Sequence, residues 1–120
     1  MTSQKQALGR WGEALAARYL EEHGYSVLER NSHSFHGEID IVAWKEAGLV
    51  FVEVKTRSSH AFAYPEASVT RSKQAHLLSA AEDYLQAHPE SGSSWQFDVI
   101  AIERQAGGTP EIVHFENVIS

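Results

Sequence analysis

The sequence predicts a single α/β domain in the order αβββαβ(β), a central mixed sheet flanked by helices. Three observations predict it. Apolar residues recur at helical spacing in two separate stretches, two short apolar runs lie a hairpin's length apart, and a further strand-like run follows the second helical stretch. At 120 residues and 42% apolar, the chain has material for one domain around one core.

In residues 3–23, Leu8, Trp11, Leu15 and Tyr19 recur on one helical face, and Gly24 stands where a C-terminal cap is expected. Tyr25 to Arg30 alternates as a strand does, and Asn31 to His36 reads as a polar loop before Gly37. Glu38 to Trp44 and Leu49 to Lys55 then form two apolar-rich runs around Lys45 to Gly48, the spacing of a four-residue hairpin loop. Residues 58–69 show no period and contain Pro65, so a loop over the sheet is expected there. Thr70 is placed to cap a second helix lined by Ala75, Leu77, Leu78, Ala81, Tyr84 and Leu85, which His88 and Pro89 end. Trp95 to Ile102 reads as a strand buried mainly through Phe97, Val99 and Ala101, and Ile112 to Phe115 as a shorter edge strand.

Composition narrows the function. There are no cysteines, which excludes disulfides and thiolate metal sites. No run approaches the roughly 18 apolar residues a bilayer span requires. Met1 to Arg10 lacks the apolar core of a secretory signal, so the expectation is a soluble, cytoplasmic protein without membrane contact. The net charge of -6 argues against loose coating of nucleic acid. Its distribution is uneven, however. Residues 1–53 carry five basic and eight acidic side chains, and residues 82–120 carry one and seven. Between them, residues 54–81 carry four basic groups, Lys55, Arg57, Arg71 and Lys73, against Glu66 alone.

That basic stretch directly follows charges set into strands otherwise fit for burial. If Trp44 pairs with Leu49, then Asp40 opposes Glu53 and Glu38 opposes Lys55, all on one sheet face. Two carboxylates opposed on neighbouring strands repel unless something positive lies between them. A divalent cation answers that need. Oxygen ligands without cysteine select Mg²⁺ or Mn²⁺ over zinc, and Mg²⁺ characteristically shares a site with substrate phosphate. Lys55 shares the face of Glu53, where an amine can ready a water and offset charge developing on phosphorus.

Asp40 followed by Glu53-Val54-Lys55 on the next strand resembles the PD-(D/E)xK nuclease superfamily, with its restriction-endonuclease-like fold. More closely, Gly12-Glu13, Gly37-Glu38-Ile39-Asp40 and Phe51-Val52-Glu53-Val54-Lys55-Thr56-Arg57 resemble the YraN-like family of bacterial proteins, described as predicted endonucleases related to archaeal Holliday-junction resolvases. The resemblance implies that Asp40 and Glu53 are metal ligands, that Val54 lends its carbonyl and that Lys55 is the catalytic lysine. It also implies that Glu13 is the first-helix acid, binding a second metal or positioning water. Ile39 stands where the superfamily has proline, which the resolvase branch also lacks. Gln74 is followed four residues later by Leu78 rather than tyrosine, which disfavours the exonuclease-like branch.

The expected activity is therefore metal-dependent hydrolysis of phosphodiesters in nucleic acid, with DNA preferred through the resemblance and branched or junction DNA as the candidate form. Arg57, Arg71, Lys73 and Gln74 would hold the backbone, and Glu38 would buffer Lys55 or join the ligands. Phe62 and Tyr64 in the irregular loop are placed to stack on bases, whereas Trp11, Trp44 and Trp95 read as core. His33 and His36 lack further ligands at a metal spacing, which leaves them at most a phosphate contact. The alternative is a nucleic-acid-binding module with the same fold that does not cleave alone. A homodimer would suit two-strand cutting, with Phe115 to Ile119 as its seam.

Overall fold

The computed structural model describes residues 3–46, 48–57, 71–105 and 107–119. Its elements are α1 (Gln4–Glu22), β1 (Ser26–Ser34), β2 (Gly37–Lys45), β3 (Gly48–Arg57), α2 (Arg71–Ala87), β4 (Trp95–Glu103) and β5 (Glu111–Phe115), with a short 3₁₀ turn at Pro89–Ser91. The expected order is the observed one. The five strands form one sheet in the order β1-β2-β3-β4-β5, with β3 and β4 parallel and every other pair antiparallel. A parallel pair needs a crossover, and α2 lies in it.

Helix α1 starts at a capping box, in which the Ser3 hydroxyl accepts from the Gln6 amide and the Gln6 side chain accepts from the Ser3 amide. It ends before Gly24, whose φ of 88° is the left-handed conformation glycine adopts without strain. Ala16, Ala17 and Leu20 of α1 pack on one sheet face against Ile41, Ala43, Val50, Val52, Ile100 and Ile102. On the other face Leu77, Ala80, Ala81 and Tyr84 of α2 pack against Val42, Leu49, Phe51, Phe97 and Val99. Trp11, Trp44 and Trp95 border these two cores, as expected. Among the described residues no helix is long and apolar enough to cross a membrane.

Several boundaries differ from the sequence expectation. Strand β1 does not stop at Arg30 but runs on through Asn31 to Ser34, paired as far as Ser34 with Gly37. It is an edge strand with one open side, so polar residues are tolerated there and imitate a loop. The β2–β3 hairpin is tighter than four residues, because Lys45 still pairs with Gly48. Glu46 takes a φ of 57°, the positive value that two-residue hairpin turns demand. Ala75 is exposed and Ala80 takes its place in the core. Strand β4 is central, so Asp98, Ile100 and Ile102 are buried along with Phe97, Val99 and Ala101. The loop expected at residues 58–69, with Phe62 and Tyr64, the Thr70 cap and the Arg71 side chain lie outside the described residues.

Candidate functional site

Trp44 pairs with Leu49, and the β2–β3 ladder holds that register from Lys45 with Gly48 to Ile41 with Val52. It ends one step short of Asp40 and Glu53. The β1–β2 ladder is interrupted at the same place: Arg30 pairs with Ile41 and Ser32 with Ile39, passing over Asn31 and Asp40. Asn31 there has a φ of 54°. The strand alternation also breaks, since Ile39 packs in the α2-side core while Ile41 packs on the α1 side. Asp40 repairs the gap with its side chain: Oδ2 accepts from the Val54 amide at 2.8 Å, replacing a backbone carbonyl. Val54 thus meets Asp40 through its amide.

From β3, Glu53 and Lys55 alternate with Phe51 onto the α2 side. Glu53 Oε1 accepts from Lys55 Nζ at 3.3 Å and from Lys73 Nζ, the latter from the first turn of α2. Glu53 Oε2 is buried with no hydrogen-bond partner among the described residues. Lys73, expected to reach a phosphate, is therefore bound to Glu53. Burial pushes the Asp40 carboxyl up to about 6, with Glu53, Glu13 and Glu38 acting in the same direction and the Val54 amide opposing them. Burial likewise lowers the Lys55 pKa, assisted by a hydrogen bond from Lys73 and opposed by Glu53. At Lys73 burial also works against the charge, but the bonds to Glu53 and Lys55 outweigh it and the pKa is raised. Of the two amines, Lys55 is the one prepared to lose a proton.

Glu13 approaches from α1, on the opposite side of the sheet. It is 9% exposed, not a surface side chain, and its Oε1 accepts from Arg30 Nε at 3.0 Å and Asn31 Nδ2 at 2.9 Å. Gly12 allows the approach, because a Cβ there would overlap the Thr56 side chain on β3. Glu13, Glu38, Asp40, Lys55 and Arg57 line one cavity of about 660 Å³, with Lys5 and Arg10 of α1 adding positive charge to its wall. Glu38 faces the solvent and comes within 3.8 Å of His33 Nδ1, while Lys55 stands on Glu53. The expected Glu38–Lys55 opposition would fall beyond the last ladder pair. His36 binds Asp83 of α2 through its amide, at 3.3 Å, and through Nδ1, at 2.8 Å, and so serves to anchor the β1–β2 turn.

Asp40 and Glu13 line this cavity and Glu53 acts on Asp40 from β3, but one oxygen from each of the three does not fall within 4.8 Å of the others. Among the described residues the set that does meet that distance is Asp98, His114 and Glu116, which the sequence reading missed. Its signal was present. Asp98 interrupts an apolar run just as Asp40 does, and a charge inside a strand covered on both faces has to be partnered. The C-terminal stretch expected as a dimer seam packs on the chain's own core through Phe115, Val118 and Ile119.

Residues 12–102 match the model of the uncharacterised protein family UPF0102. The chain belongs to this family. A UPF0102 protein of Syntrophotalea carbinolica is 44% identical over 96% of this chain and 93% of its own length. One from Syntrophomonas wolfei is 50% identical over 79% of this chain and 83% of its own, and one from Desulforamulus reducens is 41% identical over 99% and 100%. UPF0102 is the YraN-like group that Gly12-Glu13 and the paired strand motifs resemble. Among solved structures, Pyrococcus furiosus SfsA in complex with Ca²⁺ is similar at a TM-score of 0.36 and 11% identity, over 93% of this chain and 63% of that one, a likeness too remote to build on.

Proposed function

We propose that this UPF0102 chain is a metal-dependent endonuclease that hydrolyses phosphodiester bonds in DNA, with branched or junction DNA as the preferred substrate. The observation that carries the reading is the pairing of two strained carboxylates. Asp40 is held where burial and three acids oppose its charge, and the neighbouring Glu53 keeps one oxygen buried and, among the described residues, unpartnered. Groups so placed are expensive unless a cation is to join them.

The donor set is all oxygen, which fits Mg²⁺ or Mn²⁺. Asp40 and Glu53 would hold the ion, with the Val54 carbonyl as a further donor, and Glu13 would bind a second metal or position water. When bound, it supplies the positive charge that lets a phosphodiester approach two carboxylates. The rest is the work of the chain. Lys55, its proton loosened by burial and given up to solvent, takes a proton from the water as that water bonds to phosphorus. One P–O ester bond breaks, the leaving oxygen taking its proton from solvent, while Lys73 stays charged and holds the Glu53 carboxylate in place. Arg57, Lys5 and Arg10 on the cavity wall orient the phosphate backbone, and Glu13 fixes Asn31 beside Asp40.

A second reading rests on the lysines. Two ammonium groups already stand on Glu53, so the same fold could bind nucleic acid with its acids neutralised internally and cleave nothing alone. Nicking of branched DNA in Mn²⁺ separates the two. The nuclease reading requires wild-type cleavage, and losses of roughly 10²-fold or more in Asp40→Asn and Lys55→Ala, each with native circular dichroism. Binding of branched DNA with no cleavage above those variants establishes the module instead.

A further inference from the structure

Across β3 from Asp40, on β4 and β5, lies a polar cluster that the proposed reaction does not use. Asp98 on β4 is fully buried and His114 on β5 is 9% exposed at its side chain, with Asp98 Oδ2 and His114 Nε2 2.7 Å apart. Glu116, just past β5, brings a carboxylate oxygen within 4.8 Å of both. Each of the three is held from behind. Asp98 Oδ1 accepts from Gln96 Nε2 and from the Asn117 amide, both at 2.9 Å. His114 Nδ1 meets the Tyr19 hydroxyl at 3.3 Å, and the Tyr25 hydroxyl donates to Glu116 Oε1 at 3.5 Å. Metal-ligating histidines and carboxylates are characteristically oriented this way, by partners on the atoms that face away from the ion.

We propose that Asp98, His114 and Glu116 form a binding site for a divalent transition ion of the zinc or manganese class, separate from Asp40 and Glu53. Two carboxylates and one neutral imidazole carry two negative charges, which a divalent ion cancels. The imidazole nitrogen favours zinc-class ions over Mg²⁺, whereas the all-oxygen set at Asp40 and Glu53 favours Mg²⁺. A tetrahedral ion holds its nitrogen and oxygen ligands about 3.3 Å apart, so the 2.7 Å contact opens by roughly half an ångström on entry. A cavity of about 370 Å³, on whose wall Tyr25, Gln96 and Glu116 stand, gives the ion its path. Bound there, the ion fastens β5 and the segment at Asn117 to β4.

Co²⁺ is the probe, because its visible absorption reports nitrogen and oxygen ligands directly. Titrated into the chelator-treated full chain, it gives one equivalent whose band survives excess Mg²⁺ and the Asp40→Asn substitution. His114→Gln abolishes that band, and Glu116→Gln weakens the affinity by roughly tenfold or more while the exposed site of the change leaves the fold intact. A band that persists in His114→Gln, or no band at all in the wild type, overturns the site. Should His114→Gln lose its native circular dichroism, Glu116→Gln decides alone: wild-type Co²⁺ affinity in that variant means that Asp98 and His114 make a hydrogen bond and nothing more.

Discussion

Asp40 is a side chain whose protonation the fold displaces, and the displacement has a stability signature. Its folded pKa of about 6 exceeds the roughly 3.9 of an unfolded aspartate. Between those values the folded chain binds more protons than the unfolded one, so stability is fullest below about pH 4 and falls as pH rises through 6. Above that the cost is constant, about 2–3 kcal/mol from a shift of roughly two units. Asparagine removes the charge and keeps an acceptor for the Val54 amide. Asp40→Asn is therefore predicted to raise the chemical-denaturation stability of the chelated protein by about 1–3 kcal/mol at pH 7.5, with the gain vanishing by about pH 4. A variant less stable than wild type at pH 7.5 contradicts this. The gain in stability and the loss of Mn²⁺-dependent nicking are expected in the same variant.

Helix α1 is set down on β3 by the absence of a side chain. A methyl at Gly12 gains about 1 kcal/mol of helix propensity but collides with Thr56, and overpacking of this kind costs about 1–3 kcal/mol. Gly12→Ala is predicted to destabilise the fold, and Thr56→Ala in the same chain to restore it, because the colliding atoms are the Thr56 hydroxyl and methyl. A double-mutant cycle in urea with no coupling between the two would refute the contact. The capping box at Ser3 is more local: Ser3→Ala should cost about 1 kcal/mol, read by the same titration. The Gly12-Glu13 pair stood out in the sequence only through its resemblance to a family motif. Nothing local distinguishes a glycine that admits a neighbouring strand from one that merely weakens a helix. The register of β2 and β3 was legible from the hairpin, as Trp44 opposite Leu49 demonstrates. The end of β1 was not, because an edge strand has no second neighbour to demand apolar residues.

Across the whole molecule, α1 and α2 cover opposite sheet faces, and the acids converge where β2 leaves the β3 ladder and skips a pair with β1. The identities of Asp40, Glu53, Lys55 and Glu13 could be read from the sequence. Their partners could not, since Lys73, Arg30 and Asn31 arrive from elements remote in the chain and their long side chains choose among several acids. Asp98 escaped notice because its burial depends on β5 and α1 closing over the α1 side of β4. The net charge of -6 also shapes binding: with about three phosphate contacts, log affinity for DNA should fall with log salt at a slope of roughly -3, reduced by about 1 in Arg57→Ala. An unchanged slope in that variant would remove Arg57 from the interface.

The central claim is that Asp40 and Glu53 hold one divalent ion. Anomalous scattering from a crystal soaked in Mn²⁺ tests it most directly. The account predicts a peak in contact with both carboxylates, reached by Glu53 through Oε2 while Lys73 keeps its hold on Oε1. A crystal in which no manganese lies beside Asp40 and Glu53 would contradict it.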